Sequence, residues 1–140
     1  MEDLYEADFY AWTQQQAGLL RSHYLEQLDV DNLIEELEEM GRWEKRELES
    51  RLEVLLMHLL KWQFQPSLRS RSWQLTIKEQ RLRLLKLLKE NPSLKSILPD
   101  YLVSAYALAI ISAEKETGLD NFPETCPYAV EQVLDQDFMP

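Results

Sequence analysis

Apolar positions recur at steps of three and four along most of this chain, the spacing of one helical face. Phe9, Trp12, Gln16, Leu19 or Leu20, and Tyr24 predict a first helix over residues 9–27, with Asp8 placed to cap it. "LDVDN" interrupts the pattern. A long helical region follows over residues 32–65, capped by Asp29 or Asp31, with Glu35 and Glu36 near its positive end. Leu37, Gly41, Leu48, Leu52, Leu55, Leu56 and Leu59 fall on one face of it. Gly41 leaves two readings, a break or a continuous helix that lets a neighbour come close, because mid-helix glycine costs ~1 kcal/mol relative to alanine. Residues 54–64 are apolar nearly all round, which predicts burial on several sides. Pro66 ends this helix, since the residue before a proline leaves the helical region easily.

Ser70 or Ser72 is placed to cap a third helix over residues 73–89. Its apolar face is Trp73, Ile77, Leu84, Leu87 and Leu88, and its opposite face is Arg71, Leu75, Lys78, Leu82, Lys86 and Lys89. "ENPS" stops it, and Ser93 is placed to cap a short turn before Pro99. "DYLVSAYALAIISAEKETG" predicts a fourth long helix ending at Gly118. "NFPETCPY" is a loop, and Pro127 is placed to open a last short helix to Asp135. No strand periodicity and no internal repeat appear. The expected fold is all-α, a single-domain bundle over residues 1–140 with about four long helices plus short ones.

Composition agrees with that reading and adds the charge layout. Three glycines and six prolines are too few for a turn-rich sandwich or barrel. The acidic start "MEDLYEADFY" has no apolar stretch of a secretory signal, and no run approaches the ~20 apolar residues of a membrane span. The single Cys126 has no partner for an internal disulfide, so a cytoplasmic location is expected, with no membrane contact. Net charge is -10, unevenly spread. Residues 1–50 hold 14 acidic and 4 basic side chains, whereas residues 66–95 hold 8 basic and 2 acidic ones. Overall acidity disfavours non-specific nucleic-acid binding, while the basic middle leaves a specific contact open.

The pieces "LYEADFYAWTQQQAGLLR", "DNLIEELEEMGRWEKRELESRL", "LLMHLLKWQFQP", "RSRSW", "TIKEQR", "FPETCPY" and "EQVLDQDFMP" cover almost the whole chain. In residues and order they resemble the bacterial domain-of-unknown-function family numbered twenty-nine. Trp43 stands where that family has a smaller residue. The resemblance implies an all-helical fold. It brings no established activity, and so no catalytic residue.

Four groups of residues offer chemistry. Glu47, Arg51, His58 and Gln65 form one stripe of the long helix, either a base or ligand site around the imidazole or a polar seam. Glu35, Glu36, Glu38 and Glu39 present paired carboxylates, either for a cation or as a solvated face. Arg69, Arg71, Lys78, Arg81, Lys86 and Lys89 make the basic stretch, either an ordinary exposed face or a surface for a protein or phosphates, with Leu75 and Leu82 interleaved where a purely solvated face needs no leucine. Trp73 is a candidate base-stacking ring beside it. Cys126 is either a small buried residue of a tight loop or, before a helix opened by Pro127, a thiol whose pKa the helix dipole lowers. The stretch "HLLKWQFQPSLRSRSW" reads as the corner between two long helices, with Trp62 and Trp73 on its inner side.

No catalytic pattern, metal set or cofactor motif stands out. The expected function is a small helical protein–protein interaction module whose partner is another protein or, by self-association, a second copy. Leu75, Lys78, Leu82, Lys86 and Lys89 are its expected contact residues. Nucleic-acid association through residues 69–89 is the alternative, followed by an enzyme with a site near His58 or the Glu35 to Glu39 cluster. Arg51, His58, Arg69, Arg71, Trp73 and Cys126 are the further functional candidates.

Overall fold

Side chains that serve unpaired backbone groups set the ends of the helices. The structure, a computed structural model, describes residues 3–140. Its helices are α1 (Leu4–Ala7), α2 (Phe9–Arg21), α3 (Val30–Phe64), α4 (Arg71–Glu90), α5 (Leu98–Thr117) and α6 (Val130–Leu134). The fold is all-α, with no strand among the described residues. The chain divides into two compact units, one up to Trp43 and one from Glu44 to Pro140.

In the first unit, Asp8 caps α2 by accepting from Ala11 N at 3.0 Å, as its position predicts. The helix ends at Arg21, earlier than the periodicity suggests. His23 adopts a left-handed conformation (φ 62°). Its N–H donates to Leu20 O at 3.1 Å, and Tyr24 N donates to Leu19 O at 2.9 Å. These two bonds form a Schellman stop with histidine where glycine is usual. Tyr5, Phe9 and Trp12 pack ring against ring, the Tyr5 and Trp12 centroids 4.8 Å apart. Trp12 Nε1 donates to Asp29 Oδ2 at 3.0 Å, and Asp29 N donates to Gln16 Oε1 at 2.8 Å. Buried Trp12 and Gln16 thereby fix the residue that precedes α3.

The second unit is built on the later part of α3. Leu48, Leu52, Leu55, Leu56, Leu59 and Leu60 are fully buried, and no residue from Arg51 to Trp62 is exposed. Each such leucine stabilises the fold by about 2 kcal/mol through burial. Lys61 contacts Trp73 and Arg51 reaches Gln80, so α4 runs antiparallel to α3. Ser104 donates to Glu49 at 2.7 Å and Lys61 to Glu116 at 2.6 Å, so α5 runs parallel to α3. Ser70 caps α4 by accepting from Trp73 N at 3.2 Å. Gly118, at φ 73°, ends α5 as expected.

Gly41 does not break α3, which is continuous through it. The expected close neighbour is also absent within the chain, because a Cβ at Gly41 would meet nothing within 4 Å. With helical backbone and open space, alanine should gain its ordinary propensity advantage. Gly41→Ala is expected to raise stability by about 0.5–1 kcal/mol, read as a higher urea midpoint. An unchanged or lower midpoint would mean that something outside the chain's own packing uses the glycine.

Candidate functional site

The corner between α3 and α4 absorbs several of the candidate residues. Lys61, buried although charged, bonds Glu116 and lies over the Trp73 ring, 4.7 Å from its centroid. Arg69 lies over Trp62 at 4.9 Å and donates from Nε to Trp62 O at 2.8 Å. A further donor, Nη2, points at Pro140 O at 3.4 Å. Trp62 and Trp73 are both half-buried, each under a cation. Arg69 and Trp73 are thus engaged inside the unit, which accounts for the corner's first arginine by packing.

The His58 stripe is a polar seam. Arg51 Nε bonds Glu47 Oε1 at 2.8 Å, and its Nη1 reaches Gln80 Oε1 at 3.5 Å. His58 Nδ1 lies 2.8 Å from Val54 O of its own helix. A carbonyl only accepts, so Nδ1 carries the proton. Burial holds the imidazole pKa below its usual 6.5, helped by Lys61 and opposed by the Val54 bond and Glu116.

In the first unit the acidic cluster is ion-paired. Arg42 lies 3.1 Å from Glu35, 3.8 Å from Glu38 and 2.9 Å from Glu39. Glu36 accepts the hydroxyl of Tyr5, which helps push the phenol pKa up to about 12. No group of His, Cys, Asp and Glu that could hold a metal ion occurs among the described residues.

Cys126 corrects an expectation. Pro127 does not open a helix, because α6 starts at Val130 and Ala129 is extended. The thiol therefore does not sit at the first turn of α6. It donates to Tyr128 O at 3.5 Å, and burial pushes its pKa up rather than down.

Arg81 is the functional-site residue that grouping it with the basic stretch misplaces. It is 0% exposed. Its Nε donates to Val133 O at 2.8 Å and its Nη2 to Gln132 O at 3.1 Å. These carbonyls belong to the last turn of α6, where Gln132 O also accepts from Asp135 N at 3.3 Å. No carboxylate among the described residues comes within ion-pairing distance of it. Burial lowers its pKa, with Asp135 acting in the opposite direction. The signal was present in the sequence: Ile77, Arg81, Leu84 and Leu88 share one helical face.

Around Arg81 opens a cleft of about 420 Å³. Arg71, Leu75, Lys78 and Leu82 line it from α4, while Gln136, Asp137 and Met139 line it from the segment after α6. Leu75, Lys78 and Leu82 also border a shallower depression with Glu79 and Arg83. The three form a ridge between two hollows. Leu75 is 47% and Leu82 53% exposed. Arg71, Lys78, Lys86 and Lys89 are exposed, without an ion-paired carboxylate among the described residues. Of the five expected contact residues, Leu75, Lys78 and Leu82 share these two hollows, while Lys89 borders a separate one with Leu85 and Glu131.

A family model described as "Domain of unknown function DUF29" matches residues 4–139. The chain belongs to this family. DUF29 membership agrees with the resemblance of the sequence and with the all-helical fold, and it names no activity. No curated protein and no solved structure matches this DUF29 chain. Trp43 is exposed. No described helix is long and apolar enough to cross a membrane.

Two outcomes test the site chemistry. His58 has a lower pKa folded than unfolded, so the unfolded chain takes up the proton first. Its contribution to stability is complete above its unfolded value of 6.5 and is lost as pH falls through the folded value. His58→Gln should flatten the fall in urea midpoint between about pH 7 and pH 5; an unaltered slope would assign that fall to other groups. Cys126 in the native protein should be alkylated by iodoacetamide more slowly than free cysteine at neutral pH, with fast reaction only on unfolding. Faster native reaction would restore the activated-thiol reading.

Proposed function

We infer that this chain is a helical protein–protein interaction module whose working surface is the outer face of α4. The observation that carries the reading is the ridge of Leu75, Lys78 and Leu82, two exposed leucines flanking a cation with no ion-paired carboxylate among the described residues. Exposed leucine gains nothing from solvent, and a cation without a counter-ion gains from an acidic partner. Both costs are relieved by one event, the docking of an acidic surface with apolar side chains. A nucleic acid would satisfy the cations but not the leucines, and two of its expected contacts, Arg69 and Trp73, are occupied within the corner. The enzyme reading is the least supported, since His58 bonds its own helix and Glu35 and Glu39 bond Arg42. A cytoplasmic location fits the single half-buried cysteine.

A photoreactive phenylalanine analogue in place of Leu82 is expected to cross-link a protein in living cells, while the same analogue in place of exposed Val103 does not. Leu75→Glu should cut the yield from position 82 several-fold and leave the circular dichroism spectrum and melting temperature unchanged. Equal yields from both positions, or indifference to Leu75→Glu, would remove α4 as the working surface. Labelled DNA that shifts at low salt, and loses the shift in Lys78→Glu, would favour the nucleic-acid alternative.

A further inference from the structure

Taking α4 as the working surface, we propose that its occupant is a second copy of this chain, docked through residues 30–43 of α3. Those residues carry an exposed apolar face. Val30, Ile34 and Leu37 are exposed, Leu37 at 65%, and they line up with Gly41 at helical steps of four, three and four. The same face of α3 continues into Leu48, Leu52 and Leu55, which are fully buried. One half of a single apolar stripe is thus core, and the other half faces water.

The two open surfaces are complementary. The α4 surface offers Arg71 and Lys78 beside its leucines, over a cleft whose base is the buried Arg81. The α3 surface offers Asp31 and Glu38 along one edge of its apolar stripe. Three cations and one carboxylate line the cleft in a protein of net charge -10, so an acidic helix is drawn to it. The ridge between two hollows suits an elongated occupant, with apolar side chains on either side of Lys78. The contact joins unlike faces, so it closes as a reciprocal dimer or continues as a chain of copies.

Sedimentation equilibrium of the full chain tests this. The wild type should gain mass with concentration and lose it with added salt. The double variants Arg71→Glu/Lys78→Glu and Asp31→Lys/Glu38→Lys should each sediment as monomers. Mixed together they should associate again, because each reversed face then meets its complement. Leu37→Glu, at a position too exposed to affect folding, should also be monomeric. A wild type that stays monomeric throughout, or double variants that fail to associate on mixing, would overturn the second copy as occupant. Cross-linking from position 82 to a different protein, alongside a monomeric wild type, would keep α4 as the working surface and reject only self-docking.

Discussion

The enclosure of α3 from Arg51 to Trp62 is the constraint on which the second unit depends. A helix with no exposed side over three turns has to be surrounded, so α4 must return along it and α5 must follow beside it. Enclosure also imposes a requirement on every polar group of that stretch. Glu53 accepts from Ser112, Lys61 finds Glu116, and His58 turns to Val54 O. No buried side-chain nitrogen or oxygen among the described residues lacks a partner. The polar residues on this rod are explained by satisfaction before any chemistry is assigned to them.

The surface chemistry follows from what enclosure leaves over. α4 gives one face to the core through Ile77, Leu84 and Leu88, and its other face leaves Leu75, Lys78 and Leu82 exposed. The cations there stand apart from the acids, which are concentrated in the first unit and toward the end of the sequence. A charge separation of this kind contributes little to folding, since exposed pairs are worth at most about 1 kcal/mol. It matters more for what approaches the protein and in which orientation.

Much of the architecture was legible because it rests on local signals. Asp8, Ser70 and Gly118 mark helix ends through the side-chain or backbone geometry that each residue favours, and the leucine spacing from Leu48 to Leu59 names the core. Misreadings arose where a residue acts against its type. His23 takes a glycine conformation because two backbone bonds close around it, so α2 stops without a glycine to announce it. Pro127 has the fixed backbone angle suited to a helix start, yet the helix waits for Val130, and Cys126 does not sit at its first turn. The candidate surface was legible through Leu75 and Leu82, whose position among lysines has no explanation in solvation. Its base was legible only in part: Arg81 shares the core face of Ile77, Leu84 and Leu88, but its partners lie 51 and 52 residues further along the chain.

That separation has a consequence for the order of events in folding. The Arg81 guanidinium is buried only when the carbonyls of Gln132 and Val133 are in place. Until then it must stay hydrated, because an arginine without acceptors is far too costly to enclose. Hydration holds open the flank of α4 that also carries Ile77, Leu84 and Leu88. The helical hairpin of α3 and α4 can form from local contacts, but it remains wet along one edge while residues 91–134 find their places. A single side chain therefore acts as a checkpoint on assembly: the core closes over dry leucine only after the distant turn of α6 has arrived to receive the charge.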